Sequence, residues 1–240
     1  MILAIDAGNT RIKWGLWEDR GFVAQGSILT ARAATLPDAI HMLQRPDTGI
    51  GSNVAGPAVR TAVEQALAPW RIDMRWINSA ASQCGVTSGY ENPAQLGTDR
   101  WAALIGARAR CETACVVMNA GTAVTIDALT AEGVFLGGLI LPGLELMARA
   151  LASGTADLPL QAGRYQPFPV NSVNAIRSGA LQAVAGAAER MLANLAREGH
   201  GEARLIVSGG AAEAVAPILG RPYTLVPALV LEGLVRIAQA

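Results

Sequence analysis

The sequence is short of several things, and each shortage excludes something. Basic and acidic residues number 19 each, so there is no net charge to attract nucleic acid or an anionic membrane. Three cysteines, Cys84, Cys111 and Cys115, are too few and odd in number for a disulfide framework in 240 residues. Cys111 and Cys115 lie four apart, but the only histidines, His41 and His200, are remote in sequence. A zinc site lacks ligands, and small buried hydrophobes are the better reading of both cysteines. No apolar run approaches the ~18 residues of a membrane span. The N-terminal Met1-Ile-Leu-Ala-Ile5 meets Asp6 too early for a signal peptide. The expected location is cytoplasmic. No Gly-x-x-x-x-Gly-Lys-Ser/Thr string occurs, and no Gly-x-Gly-x-x-Gly follows the first strand. What is present is apolar: 51% of residues are hydrophobic and 16% charged, ample for a buried core.

Periodicity sets out the elements. Residues 2–5 read as a buried strand, and the alternation in 12–17 as its hairpin partner. A third strand lies in 21–30, helical stretches in 36–45 and 56–68, and strands at 49–54 and 75–77. Gly85–Asp99, rich in Gly, Pro, Asn and Thr, reads as one long loop, and 99–111 as an Ala-rich helix. The theme then restarts, with strands at 115–118, 124–129 and 134–139, and a helix at 143–152. A long helix at 172–198 follows an Asn171/Ser172 cap, then a strand at 205–207 and a last helix at 230–238. The strand, Gly-Thr turn, strand pattern thus occurs twice, beginning at Asp6 and Asn119. Two similar α/β domains are expected, 1–110 and 111–240, with a cleft between them.

Four strings carry chemistry. Asp6-Ala7-Gly8-Asn9-Thr10 ends the first strand. Glycine there lets backbone approach a ligand, backbone N–H groups with Asn9 and Thr10 can donate to phosphate, and Asp6 can hold Mg²⁺. An ordinary Asp-Gly-Asn hairpin is the competing reading, and Lys13 beyond it either reaches phosphate or is solvated. Asn119-Ala120-Gly121-Thr122 repeats the pattern, and Ser208-Gly209-Gly210 adds glycines after a later strand. Tyr90-Glu-Asn-Pro93 leads into Gly97-Thr98-Asp99-Arg100-Trp101. A carboxylate at Asp99 can accept a hydroxyl proton during attack on phosphorus, or it can cap the helix. Arg100 can bind an anionic group or form a surface pair. The five tryptophans, Trp14, Trp17, Trp70, Trp76 and Trp101, read as core and interface residues. Trp101 is the expected exception, able to screen a pocket from water.

Two phosphate hairpins and a late Gly-Gly resemble the superfamily of acetate kinase, sugar kinases, heat-shock chaperones and actin. That resemblance implies two ribonuclease H-like domains of the actin-like ATPase type, with mixed five-stranded sheets flanked by helices. In order and spacing the set resembles type III pantothenate kinase. The strings are Asp6–Thr10, Tyr90–Pro93, Gly97–Arg100, Gly121-Thr-Ala-Val-Thr-Ile-Asp127, Phe135–Gly143, Asn171-Ser172, Arg177-Ser-Gly179 and Ser208–Gly210. This family also includes proteins named Bvg accessory factors, which are linked to toxin-gene regulation.

The resemblance implies an ATP- and Mg²⁺-dependent kinase acting on pantothenate, the first step toward coenzyme A. It implies that Asp6, Ala7, Gly8, Asn9, Thr10, Arg11, Ile12, Lys13 and Thr122 bind ATP, with Asp6 on Mg²⁺. Asp99 becomes the general base, and Tyr90 and Gly97, Thr98, Asp99 and Arg100 line the substrate pocket. Ser172, where the family usually has threonine, reaches substrate across a homodimer interface that contains the active site. Asn119 stands where the family usually has an aspartate that binds a monovalent cation, K⁺ or NH₄⁺. It keeps the oxygen and loses the charge, with Asp127 nearby as a compensating acid. Two alternatives follow: a catalytically weak accessory or regulatory protein of this fold, and a kinase of another polyol or sugar.

Overall fold

A computed structural model describes residues 1–40 and 46–240. The chain divides into two compact units, Met1–Arg110 with Leu229–Ala240, and Cys111–Ala228.

The first unit opens with β1 (Ile2–Ala7), β2 (Arg11–Glu18) and β3 (Gly21–Leu29), an antiparallel meander, followed by the short α1 (Leu36–Ala39). β4 (Thr48–Asn53), α2 (Pro57–Leu67) and β5 (Asp73–Trp76) complete a mixed sheet in the order β3-β2-β1-β4-β5, with β4 and β5 parallel to β1. Alternation along β1 and β2 sends Leu3, Ile5, Ala7, Ile12, Trp14 and Leu16 to one face, where α1 and α2 cover them. The other face carries Asp6 and Ser52, neighbours in register on β1 and β4.

The expected loop at 85–99 is partly structured. β6 (Ser82–Gln83) and β7 (Val86–Ser88) form a hairpin around Cys84 and Gly85, both with positive φ. Two successive residues in that region make the turn whose twist suits a two-residue hairpin. The usual Asn-Gly or Asp-Gly signal is replaced here by Cys-Gly, which hid the turn. Of the helix expected over 36–45, Leu36–Ala39 is seen as α1, preceded by a 3-10 segment at Thr30–Thr35; the portion 41–45 lies outside the described residues.

α3 (Thr98–Arg110) packs against the C-terminal helix, Leu229–Ala238. The sequence expectation kept that helix with residues 111–228, whereas it belongs to the first unit. The reason is close helix packing. A Cβ on Gly233 would lie 1.8 Å from the Ala102 carbonyl oxygen, and one on Gly106 would lie 2.5 Å from that of Leu229. Two glycines let the backbones touch. Arg110 pairs with Glu232, and Arg75 donates to the Ile237 carbonyl at 2.9 Å, satisfying one of the helix's last orphan acceptors.

The second unit repeats the plan. β8 (Cys115–Ala120), β9 (Ala123–Leu129) and β10 (Val134–Pro142) are antiparallel. α4 (Leu144–Gly154) and α5 (Ser172–Arg197) follow, and the Asn171 side chain accepts from the Asn174 N–H to cap α5. β11 (Arg204–Ser208), α6 (Ala212–Val215) and β12 (Tyr223–Leu225) finish it, with β11 parallel to β8 and β12 parallel to β11. Within this unit the order β10-β9-β8-β11-β12 matches the first sheet strand for strand, although the sheet these strands belong to counts seven strands rather than the five expected, because the β6–β7 hairpin adds two. Val116, Met118, Val124 and Ile126 pack under α5. Among the described residues no helix is long and apolar enough to cross a membrane.

Two substitutions test the helix crossing. Gly233→Ala should lower stability by about 1–3 kcal/mol, because its Cβ meets backbone that can only move away. Gly186→Ala, in open space on α5, should be neutral or raise stability by up to ~1 kcal/mol. Urea midpoints of the two variants measure the contrast.

Candidate functional site

In the first unit, Asp6 ends the central strand and is 8% exposed. Lys13 lies opposite it on β2 and Ser52 beside it on β4, both in register. Ser52 is fully buried, and its hydroxyl lies 2.9 Å from that of Thr98, the first residue of α3. Asp99 follows Thr98, so strand ends and helix N-terminus bring the two carboxylates into one neighbourhood. They interact electrostatically: burial, and then the Asp99 charge, push Asp6 up to about 7, with Lys13 pulling the other way. Burial also raises Asp99, opposed by the Arg100 N–H and by the charges of Arg100 and Lys13. The Arg100 N–H donates to Asp99 Oδ1 at 2.8 Å.

Arg100 is not the surface pair that was one reading of it. It is 5% exposed, its Nη1 donates to the Tyr90 hydroxyl at 2.9 Å, and its guanidinium lies 5.6 Å from the Tyr90 ring centre. A buried cation thus stands beside the candidate base, held by the residue expected to share its pocket. Trp101, by contrast, is fully buried, and its Nε1 donates to Gln83 Oε1 at 3.0 Å. It anchors the β6–β7 hairpin and has no exposed ring with which to screen a pocket.

Gly8, Asn9 and Thr10 form the tip between β1 and β2, with Asn9, Thr10 and Arg11 exposed, Ala7 and Ile12 buried, and Lys13 half-buried. Asp6 Oδ1 is buried with no hydrogen-bond partner. That orphaned acceptor, charged and at a strand end, fits a site for a hard divalent cation. No group of three or more His, Cys, Asp or Glu side chains able to hold a metal occurs among the described residues.

The second unit has the corresponding geometry with different charge. Asn119 ends β8 in register with Ser208 on β11 and Thr125 on β9. Asp6, Ser52 and Lys13 thus have counterparts in Asn119, Ser208 and Thr125: a charged acid faces a cation in one unit, and a neutral amide faces a hydroxyl in the other. Asn119 Oδ1 is also buried without a partner. Asp127, on the same sheet face and diagonal to Asn119, is 1% exposed. Thr122 is exposed in the turn before β9. Gly209 has φ +98, and a Cβ there would meet the Ala120 carbonyl at 2.4 Å, so the third motif needs glycine to cross the end of β8. Ser172 is exposed at the start of α5.

Ser52 was missed from the sequence, and so was Thr30, whose hydroxyl donates to the Gly8 carbonyl at 2.6 Å. Nothing local marks either; each matters through a register or contact that only the folded sheet defines.

The raised Asp6 value fixes a sign. The folded chain binds that proton more tightly than the unfolded chain, so its stabilising effect is full below pH ~3.8 and is lost as pH rises through about 7. Asp6→Asn should therefore melt higher than the parent at pH 8, without nucleotide or metal, and should vary less between pH 5 and 8. Differential scanning fluorimetry measures both; a lower melting temperature at pH 8 would contradict the geometry.

The family model described as type III pantothenate kinase matches residues 2–194. A protein named type III pantothenate kinase from Aromatoleum aromaticum is 48% identical over 239 residues, covering 100% of this chain and 98% of its own. Among solved structures, the ethanolamine utilization protein EutJ from Carboxydothermus hydrogenoformans aligns at TM-score 0.58 and 12% identity, over 98% of this chain and 89% of its own. An inorganic polyphosphate/ATP-glucomannokinase from Arthrobacter sp. strain KM aligns at TM-score 0.50 and 14% identity, over 99% and 98%. These distant likenesses concern the fold alone. The full-length match carries more: with its paired strand-end motifs and the Asp99–Arg100 helix start, this chain belongs to the type III pantothenate kinase family.

Proposed function

We propose that the chain transfers the γ-phosphoryl group of ATP to the primary hydroxyl of pantothenate, giving 4'-phosphopantothenate, the first step of coenzyme A biosynthesis. The observation that carries this reading, beside family membership, is the Asp6–Asp99 pair with the buried Arg100 next to it. Phosphoryl transfer needs a held polyphosphate, a neutralised charge and an oriented nucleophile. The Asp6–Lys13 turn takes ATP. Asp6 would hold Mg²⁺, which, when bound, supplies positive charge to the phosphate oxygens. Asp99 accepts the proton of the attacking hydroxyl; its raised affinity for that proton suits a base better than a fully solvated aspartate would. Arg100, fixed by Tyr90, meets the pantothenate carboxylate, and Gly97 and Thr98 close the same wall. The reading as a weak accessory protein is not favoured, because both acids are kept and the fold brings them together.

The buried Asn119 oxygen is a neutral ligand for a monovalent cation, K⁺ or NH₄⁺. Its in-register neighbours, Ser208 and Thr125, are uncharged, so an aspartate there would face no balancing cation. The assembly we propose is a homodimer. Leu139 and Ile140 on β10, Leu146 and Leu151 on α4, and Phe168 and Val170 just before α5 are all exposed, the last two at 90%. Apolar surface of this extent favours a covering partner, and Ser172 follows directly as the residue that reaches substrate from the neighbouring subunit.

Three outcomes are expected. Asp99→Asn should lower kcat by at least ~100-fold, the scale of general base catalysis, while calorimetry finds ATP binding within about twofold of the parent. Asn119→Asp should create or steepen the dependence of rate on K⁺; an unchanged rate-versus-potassium curve removes the cation assignment. Phe168→Asp should convert a dimer to a monomer in light scattering and abolish pantothenate turnover; a fully active monomer would remove the shared active site.

A further inference from the structure

The β1–β2 tip proposed to hold phosphate is braced from outside by β3 and the residue after it. The Thr30 hydroxyl donates to the Gly8 carbonyl at 2.6 Å, and the Thr30 N–H donates to the Thr10 carbonyl at 3.0 Å. One residue therefore grips both sides of Asn9. The Arg11 guanidinium, next in the chain, donates to Ser27 Oγ from Nη2 at 2.7 Å and from Nε at 3.1 Å. The Gly8 N–H closes on the Arg11 carbonyl at 3.1 Å. Thr30 is 9% exposed, so its hydroxyl is shielded from competing water.

The consequence follows from peptide geometry. In a trans peptide the carbonyl of one residue and the N–H of the next point in opposite directions. Fixing the Gly8 carbonyl toward Thr30 aims the Asn9 N–H away from it, and fixing the Thr10 carbonyl does the same for the Arg11 N–H. Two backbone donors are thereby set on the side of the tip away from Thr30 before any ligand arrives. We infer that Thr30 is a positioning residue for nucleotide binding: it pre-orients the phosphate-binding N–H groups of the Asp6–Lys13 turn without touching ATP. The inference rests on the proposed assignment of that turn to ATP. Its physical content is preorganisation. A hairpin tip that is ordered in advance does not lose that freedom on binding, so the ligand's affinity reports the brace.

Thr30→Val keeps the branched shape and removes the hydroxyl. Loss of one neutral hydrogen bond predicts a roughly three- to tenfold rise in the Kd and KM for Mg-ATP, with KM for pantothenate within about twofold. Thr30→Ser should restore the parent values, which a loss of packing alone would not allow. Hydrogen exchange on the unliganded parent and on Thr30→Ala gives a second reading: amides of residues 8–11 should exchange faster in the variant, with other segments unchanged. Two results overturn the inference while leaving the ATP assignment intact. One is a Thr30→Val protein that binds Mg-ATP as the parent does; the other is equal loss of affinity for both substrates. Should the parent itself fail to bind Mg-ATP, both the assignment and the brace fall.

Discussion

The rest of the first unit depends on one electrostatic constraint: a carboxylate carried to the buried end of a central strand and set near a second carboxylate. Asp6 cannot avoid this position. The alternation that sends Leu3, Ile5 and Ala7 into the α1–α2 core sends Asp6 to the opposite face. There it lies beside Ser52 and across from Lys13. α3 delivers Asp99 to the same neighbourhood, fixed by the Ser52–Thr98 hydroxyl contact. The C-terminal helix in turn holds α3 through two glycine contacts close enough to bring backbone against backbone. A desolvated, incompletely paired acid lowers stability. Such an arrangement is tolerable where a ligand brings positive charge, and it marks the site for that reason.

The second unit shows the same scaffold under a different charge rule. Strand order and register are repeated, and the positions equivalent to Asp6, Ser52 and Lys13 hold Asn119, Ser208 and Thr125. Where the acid is present, its cross-strand neighbour is a lysine; where it is replaced by an amide, the neighbour is a hydroxyl. The second unit still carries a buried acid on that face, Asp127, but two residues along β9 from Thr125 rather than at the strand end. A duplicated fold can thus hold one charged and one neutral strand end, and the two orphaned oxygens, Asp6 Oδ1 and Asn119 Oδ1, differ in charge rather than in placement.

Much of this was legible beforehand. Period-two alternation in β1 and β2, the Asn171 cap of α5 and the Gly-Thr turns are local signals, and they placed the hairpins and the long helix close to where they lie. The β6–β7 hairpin escaped because its turn uses Cys84-Gly85 rather than the residues that usually adopt positive φ. The C-terminal helix was placed in the wrong unit, since its partner α3 lies more than a hundred residues earlier in the chain and nothing local reports the pairing. Arg100 could be identified as a ligand candidate, but its burial against Tyr90 could not be read from charge alone.

The sequence by itself determined the periodicities, the two strand-end motifs and the identity of the acids, because those properties belong to short stretches of chain. Only the tertiary structure decided which hydroxyls meet them. Ser52 and Thr30 sit in strands or strand ends with no motif of their own, and they gain importance from β1–β4 register and from the reach of β3 to the turn. Desolvation likewise exists only once the sheet and helices close around Asp6, so the raised proton affinity of that carboxylate is a property of the fold.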